Sequence, residues 1–374
     1  MPAARIKSFI IILLILSLFI SITTAQEVEK DNIIQIAILL DTSNSMDGLI
    51  DQAKSQLWKI VNELSRAKQN GKSPSLEVAL FEYGNTNISV ISGYIRQVVS
   101  LTNDLDKISE ELFNLKTRGG DEYCGQVIEE AVKKLEWSSD NRILKMIFIA
   151  GNEEFTQGFV DYKKSCKTAI TKGITVNTIF CGDKREGIDT FWKDGADLAD
   201  GSYINIDQNK SYVYIKAPQD DEILKLNQEL NGTYIAFGDA GKEKKLNQSV
   251  QDTNAASMSK EAQIQRSVTK TTINYRNSTW DLVDAVNDKT VKLEDVKENE
   301  LPDEMKKMTL DEKKKYIDGM NKKRSEIQKK ISQLNKDRND YLAEESAKNN
   351  QNDTLDNAVI KAVREQAKKK NYNF

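Results

Sequence analysis

The 374-residue sequence contains no histidine and only three cysteines. Without an imidazole, the chain cannot build Ser-His-Asp or Cys-His nucleophile pairs, histidine zinc sites or imidazole general bases. A Gly-x-Gly-x-x-Gly phosphate loop is also missing after the first predicted strand, which disfavours a dinucleotide-binding protein. Carboxylate chemistry is still available, but no nucleophile motif accompanies it. We therefore expect a protein that is not an enzyme.

The cysteines, Cys124, Cys166 and Cys181, are too few for a disulfide framework, and their odd number leaves at least one unpaired. In an exported protein one pair can still form. Cys124 opens a predicted helix and Cys181 closes a predicted strand, so both are expected near the carboxyl end of the sheet. Cys166 is expected roughly 10 Å lower by the rise per residue. Cys124–Cys181 is therefore the less strained pairing, although the sequence does not fix the connectivity.

Long apolar runs are missing except near the beginning of the sequence. There Arg5 and Lys7 precede an apolar run over residues 9–22, and the small residues 23–25 follow, a pattern typical of an export signal. The run is short for a membrane span, which needs ~20 residues. We expect residues 1–25 to be a signal peptide, with an uncleaved anchor as the alternative. The mature protein is then expected in the periplasm, the cell envelope or the medium, and the Lys-, Asn- and Ile-rich composition suggests a bacterial source.

The formal net charge of −3 becomes about −5 when the two positive charges of the signal segment are removed. This mild acidity disfavours a nucleic-acid partner, which would require a basic face. The remaining length exceeds one compact core, so a second region is expected beside the first.

Strands and helices alternate between residues 33 and 207. The predicted strands are 34–40, 76–83, 95–101, 143–150, 174–181 and 203–206. The predicted helices between them are 49–64, 105–115, 127–135, 162–170 and 191–199. This alternation predicts an α/β fold, a Rossmann-like doubly wound sheet of six mostly parallel strands with helices on both faces. The third strand follows the second after a short Gly-containing turn, so it is predicted to be an antiparallel edge.

Beyond the sheet, the composition becomes polar and then highly charged. Pro218 begins a helix that Asn231-Gly232 should end, so we expect the first domain to span residues 30–232. Residues 233–300 are predicted to be an irregular segment, poorly periodic apart from a helix around 258–266. The apolar patch at residues 280–283 is expected to dock this segment onto the domain.

Residues 301–374 are predicted to form a charged helical extension. Thr309-x-x-Glu312 is a capping box at the start of a long helix. Its apolar stripe is interrupted by Arg324 and Arg338, so fewer than the three to four heptads of a coiled coil are clean. The stripe therefore favours a helix packed on its own domain, or a hairpin with residues 355–366. Self-association as a coiled coil is the alternative.

Asp41-Thr42-Ser43-Asn44-Ser45 lies where the first apolar run gives way to a helix. Side chains just past such a buried strand project into the crevice above the sheet. Asp41 supplies a charge, and Ser43 and Ser45 supply hydroxyls, which together suit Mg²⁺ or Mn²⁺. The segment resembles the metal-ion-dependent adhesion site of a von Willebrand factor type A (VWA) domain, whose signature is Asp-x-Ser-x-Ser at this place.

The resemblance extends to two further loops, with departures. Gly119-Gly120 lines up with the family's Gly-Gly-Thr, which puts Asp121 where threonine is expected. In the third loop Gly151 occupies the position of the family's aspartate, and Asn152 and Glu153 could contribute through water. The resemblance thus implies Mg²⁺ or Mn²⁺ held by Asp41, Ser43, Ser45 and Asp121, with one carboxylate moved from loop three to loop two. A degenerate site that holds no metal is the alternative.

The resemblance implies a binding module that needs a divalent cation and takes a protein ligand presenting a carboxylate. Residues 151–158 and 195–203 also resemble an exported bacterial subgroup, whose similarity continues into the tail. The alternative function is a metal-independent envelope scaffold that acts through its helical tail. A hydrolase is a third hypothesis, because acidic residues over the sheet could pair as catalytic carboxylates. These acidic residues are Glu82, Asp121, Glu153 and Glu154.

Overall fold

The computed structural model describes residues 32–47, 50–206, 214–348 and 355–374. The predicted signal segment, residues 1–25, lies outside the described residues. Asn32–Phe374 form one unit by their contacts. The predicted boundaries at residues 232 and 300 stay predictions.

Six strands, among the described residues, form a sheet in the order β3-β2-β1-β4-β5-β6. The strands are β1 (Ile33–Asp41), β2 (Ser75–Tyr83), β3 (Arg96–Thr102), β4 (Leu144–Gly151), β5 (Ile174–Cys181) and β6 (Tyr203–Ile206). All neighbouring pairs are parallel except β2 and β3, which are antiparallel. The predicted mostly parallel sheet with an antiparallel edge is therefore confirmed.

The sheet is covered on both faces, which explains why its strands are mainly apolar. All eight residues of β4 are buried. Side chains of β1 alternate between two cores: Ile34, Ile36 and Leu40 face one, whereas Ala37 and Leu39 face the other. The polar side chains of β1 are Gln35, near its start, and Asp41, at its end.

Helices lie on both faces of the sheet. They are α1 (Ile50–Arg66), α2 (Leu105–Asn114), α3 (Cys124–Lys134), α4 (Tyr162–Thr171), α5 (Lys184–Asp189), α6 (Trp192–Asp197), α7 (Asp220–Asn231), α8 (Gly241–Met258), α9 (Lys260–Thr269), α10 (Leu282–Asn287), α11 (Asp303–Lys306), α12 (Leu310–Lys348) and α13 (Leu355–Lys369). Short 3-10 turns occur at Asn44–Met46, Val90–Ser92, Leu293–Asp295 and Glu298–Glu300. The first core contains side chains of α1, α2, α7, α9, α12 and α13, and the second contains those of α3, α4 and α6. None of the described helices is both long and apolar enough to cross a membrane.

The C-terminal helices contribute to the core of the sheet domain. Ile327 and Ile331 of α12 and Val363 of α13 are buried in the first core. The Tyr372 hydroxyl donates to the Asn32 side chain at 2.8 Å, beside the start of β1. The prediction that the apolar stripe of the long helix packs on its own domain is confirmed. The predicted capping box also forms at its first turn.

The two arginines that interrupt the stripe of α12 are buried in ion pairs. Arg324 donates to Asp281 at 2.7 Å, and its guanidinium lies 4.1 Å from the ring centroid of Tyr234. Arg338 donates to Asp220 at 2.7 Å and also pairs with Glu261. Both positions lie on the apolar stripe of α12, but they bury charged side chains instead of apolar ones.

Residues 241–258 differ from the predicted irregular segment, because they form α8. The helix predicted around residues 258–266 is confirmed as α9. The buried face of α8 is polar, so its hydrophobic periodicity is weak. Gln251 accepts from Ser109 of α2 at 3.0 Å, and Gln248 donates to Tyr275 at 3.1 Å. The buried Arg266 of α9 completes this polar contact region.

The predicted Cys124–Cys181 disulfide is not formed, and all three cysteines are free and buried. Cys181 points into the first core, whereas Cys124 points into the second with Cys166. The proposed pair is therefore separated by the sheet. The prediction compared heights along the strands and did not consider the opposite faces.

Replacing Arg338 by alanine should destabilise the protein by about 3–5 kcal/mol, because it leaves Asp220 and Glu261 buried without their partner. The free energy of unfolding from urea denaturation measures this loss. Lys348→Ala on the same helix is the matched control. Lys348 makes an exposed ion pair with Glu345, so its removal should leave the stability unchanged. Equal effects of the two substitutions would contradict the burial argument.

Candidate metal centre

The carboxyl ends of β1 and β4 open a crevice at the point where the strand order reverses. From β1 the chain continues to β2 and β3 on one side, whereas β4, β5 and β6 follow on the other. Such a switch point is where doubly wound sheets bind their ligands. Three loops meet there: the one after β1, the one before α3 and the one after β4.

The first loop brings its three predicted ligands together. Asp41 is fully buried at the end of β1, and the Ser43 backbone N–H donates to its Oδ1 at 2.7 Å. The hydroxyl oxygens of Ser43 and Ser45 lie 2.7 Å apart. Ser45 in turn donates to Oδ1 of Asn152, in the third loop, at 2.9 Å. Oxygen atoms from two loops thus converge beside Asp41.

The second loop places a different carboxylate at the site from the one predicted. Asp121 is exposed, and its carboxylate accepts a hydrogen bond from the Tyr123 hydroxyl at 3.1 Å. Glu122 is buried, and its carboxyl group lies close enough to Asp41 for the charge of Asp41 to raise the pKa of Glu122. The Glu122 backbone N–H is fixed by the side chain of Gln157 at 3.1 Å. The neighbour of Asp41 is therefore Glu122, because the loop turns one residue later than the Gly-Gly alignment implied.

Asp41 and Glu122 form a buried pair of carboxyl groups. Neither Asp41 Oδ2 nor Glu122 Oε2 has a hydrogen-bond donor among the described residues. Burial raises the pKa of Asp41 to about 6, and burial together with the charge of Asp41 raises the pKa of Glu122 to about 9. Two buried carboxylates in contact need either a shared proton or a cation between them.

No group of three or more acidic or cysteine side chains is arranged to hold a metal in the part of the chain that the structure describes. A cation in the crevice would therefore depend on two carboxylates and on neutral oxygens. The neutral oxygens available are the hydroxyls of Ser43 and Ser45 and the amide oxygen of Asn152.

Glycines at two positions shape the space around the pair. Gly84 has φ of +77°, and a Cβ there would lie 2.7 Å from Oδ1 of Asp41. A Cβ on Gly151 would lie 2.5 Å from the hydroxyl oxygen of Tyr83, which donates to Ala150 at 2.9 Å. Tyr83 therefore occupies the space that a side chain at position 151 would need. This explains why the third loop contributes no carboxylate at that position.

The other acidic residues over the sheet are not gathered into one cluster. Glu82 is buried and accepts from Arg96 of the edge strand at 2.5 Å and from the Thr42 hydroxyl at 3.2 Å. Glu153 and Glu154 are exposed in the third loop. Because Glu82 is already paired, the carboxylates proposed for a hydrolase do not form a matched acid and base.

Residues 35–191 match the model of the von Willebrand factor type A domain family. No curated protein sequence matches the chain. Among solved structures it is similar to BatB from Bacteroides thetaiotaomicron, with 18% identity, a TM-score of 0.36 and coverage of 46% of this chain and 90% of that one. It is also similar to the SpRpn10 VWA domain, with 16% identity, a TM-score of 0.36 and coverage of 48% of this chain and 90% of that one. A third similar structure is PTMP1 from the mussel byssus with zinc in its adhesion-site motif. Its identity is 13% and its TM-score 0.36, with coverage of 48% of this chain and 43% of that one.

The strand order, the Asp-x-Ser-x-Ser loop at the end of β1 and the family match define an α/β module of the type A class. This chain contains a von Willebrand factor type A domain. Domains of this family commonly mediate protein–protein interactions through such a metal site. The match ends at residue 191, so β6 and α6 to α13 lie beyond it.

Replacing Gly151 by alanine should cost about 1–3 kcal/mol of folding free energy, because the added methyl group overpacks against the buried Tyr83. Thermal or urea unfolding of the purified variant measures this cost. Gly319→Ala is the matched control, since a Cβ at that position of α12 would have no atom within 4 Å. It should be neutral or slightly stabilising. A neutral Gly151→Ala would mean that the third loop has room for a side chain.

The stability of the chelator-treated protein should fall as pH rises from about 5 to about 9. The pKa of Glu122 is raised from an ordinary value of 4.5 to about 9, so the folded state holds a proton that the unfolded chain loses first. Glu122→Gln should remove most of this fall, which amounts to a few kcal/mol at about 1.4 kcal/mol per pKa unit. Denaturation at several pH values measures it. Asp121→Asn, an exposed neighbour, should leave the pH profile unchanged, and a flat wild-type profile would contradict the buried pair.

Proposed function

We propose that this chain is an exported protein-binding module that holds Mg²⁺ or Mn²⁺ in the crevice and through it binds a carboxylate on a protein partner. The observation that carries the proposal is the pair of buried carboxylate oxygens, on Asp41 and Glu122, that lack a donor among the described residues. A divalent cation would satisfy both oxygens and cancel the repulsion between the two charges.

The chemistry of the donors supports a hard cation. Asp41 and Glu122 would provide the charge, and Ser43, Ser45 and Asn152 would provide neutral oxygens. Mg²⁺ and Mn²⁺ prefer such oxygen ligands, and Mg²⁺ keeps several waters in protein sites. A bound cation would supply a positive charge at which a partner's carboxylate can displace water. A desolvated, charge-assisted contact of this kind can dominate a small interface.

A binding role is favoured over catalysis by the pairing of the acidic residues. Glu82 is neutralised by Arg96, so it is not free to act as an acid or base together with Asp41 and Glu122. The residues that converge in the crevice are ligands for an ion rather than an acid and a base at a substrate.

Export is proposed from the charged and apolar pattern of residues 1–25 alone, and a bacterial source from the composition. Neither of these two proposals depends on the geometry of the crevice. Localisation in the periplasm, the envelope or the medium is equally consistent with that pattern.

The second candidate function is a metal-independent scaffold in which Asp41 and Glu122 share a proton. The raised pKa of Glu122 favours it, since a protonated pair needs no ion. A deletion of the residues after Glu300 would remove the helical tail through which the scaffold acts. It does not separate the two functions. Such a deletion removes Ile331 and Val363 from the core of the sheet domain, so it would unfold the protein.

Isothermal titration calorimetry of the full chain with MgCl₂ and MnCl₂ separates the two candidates. We expect one divalent site whose affinity is lost in Asp41→Asn and falls at least about tenfold in Glu122→Gln, since each tenfold is 1.4 kcal/mol. Asp121→Asn is the control, because that carboxylate is exposed and accepts a hydrogen bond from Tyr123. Its affinity should change by less than about twofold, which is a few tenths of a kcal/mol.

The opposite ranking, with Asp121 essential and Glu122 dispensable, would restore the ligand set expected from the sequence. Absence of binding in the wild type at about pH 8, where a cation competes better with the shared proton than at neutral pH, would favour the scaffold.

A further inference from the structure

An exposed apolar surface lies beside the candidate metal centre. It comprises Val90, Ile91, Tyr94, Tyr123 and Phe159, called here the aromatic patch. Ile91 is 93% exposed, Phe159 is 97% exposed and Val90 is 62% exposed. Large apolar side chains this exposed and this close together mark interaction sites more often than a scattered single residue does.

Three separate segments build the aromatic patch. The ring centroids of Tyr94 and Tyr123 lie 6.1 Å apart, and those of Tyr123 and Phe159 lie 6.4 Å apart. The side chain of Gln126 donates to the carbonyl of Ser92 at 3.5 Å, which links the turn after β2 to α3. Tyr123 therefore stands in the middle, with the turn after β2 on one side of it and the third loop on the other.

The backbone around the patch is held in a specific shape. Tyr94 has φ of +56°, a left-handed conformation that costs free energy for a bulky residue. The Ser89 side chain accepts from the Ile91 backbone N–H and caps the turn. A Cβ on Gly158 would lie 2.7 Å from the Tyr123 ring, so glycine permits this close approach. The apolar side chains are thus presented to solvent by a constrained surface.

The patch is continuous with the candidate metal centre. Tyr123 directly follows Glu122 in the second loop. Gln157 accepts from the Glu122 backbone N–H at 3.1 Å and donates to the Glu153 carboxylate at 3.3 Å. Gln157 also lies two residues before Phe159. A chain segment bound at the crevice would therefore reach the patch within a few residues, at ~3.3 Å per extended residue.

Charge around the two surfaces limits what can cover them. Asp121, Glu153 and Glu154 are exposed at the rim of the crevice. They would repel an anionic lipid surface and a strongly acidic segment. A neutral or basic segment with a single carboxylate fits this acidic rim better, because the crevice offers a place for that one negative charge.

We propose that the aromatic patch receives an apolar side chain of the same protein segment whose carboxylate binds at the crevice. This inference rests on the proposed function and specifies its partner. The partner presents an Asp or Glu with an aromatic or large aliphatic residue a few positions away. The carboxylate gives the dependence on a cation, and the apolar contact gives the selectivity among carboxylates.

Selection from a display library of short random linear peptides on the immobilised full chain in MgCl₂ tests the inference. Enriched peptides are then synthesised and their Kd values measured by fluorescence anisotropy. We expect a shared acidic residue near Phe, Trp or Leu. The double variant Ile91→Ser, Phe159→Ser should weaken binding at least about tenfold while its Mg²⁺ affinity stays unchanged. Leu246→Ser is the control, because Leu246 is 64% exposed on α8, outside the patch.

The other outcomes separate this inference from the proposed function. Mg²⁺-dependent binding that is equally strong in the double variant overturns the patch and leaves the function intact. Binding that needs the patch but neither Mg²⁺ nor Asp41 overturns both. No enrichment of any peptide also overturns the inference.

The same variants test two other possible occupants of the aromatic patch, a membrane and a second copy of this chain. Binding of vesicles of phosphatidylcholine and phosphatidylglycerol by the wild type, lost in the double variant, would assign the patch to a membrane. A concentration-dependent dimer by light scattering, lost in the double variant, would assign it to a second copy of this chain. Either result overturns the proposed peptide partner.

Discussion

The organising constraint of this molecule is the repulsion between two carboxyl groups that the fold buries face to face. Asp41 ends the central strand β1, and Glu122 is turned inward by the loop before α3. Burial disfavours both charges, and the two groups are close enough for the charge of Asp41 to raise the pKa of Glu122 further. A proton or a cation must therefore sit between them, and the choice between these two decides whether the crevice is a binding site.

The surrounding structure moves charge from the third loop to the second. Tyr83 fills the space next to Gly151, so a carboxylate cannot stand there. Gly84 leaves room for Glu122 to approach Asp41 from the other side. The charge count of the usual site is kept although its geometry is altered. The same second loop continues into Tyr123, which ties the crevice to the exposed apolar surface.

The sheet could be predicted from the sequence because strands covered on both faces are mainly apolar, as in β4, where Lys145 is the one charged residue. The Asp-x-Ser-x-Ser loop could be placed because it directly follows such a strand. Glu122 was missed because a Gly-Gly alignment does not say which of two adjacent acids turns inward. Only the alternation of buried Glu122 and Cys124 with the more exposed Asp121 and Tyr123 could have indicated it. Helix α8 and the burial of Arg338 in the apolar stripe were missed for a related reason, since both bury polar groups that a hydrophobic pattern counts as surface.

Crystals grown at about pH 8 with MnCl₂, measured for anomalous scattering, test the central claim most directly. The account predicts one anomalous peak in contact with carboxylate oxygens of both Asp41 and Glu122. A map with no peak in the crevice, and the two carboxyl groups joined directly by a short hydrogen bond, would contradict it.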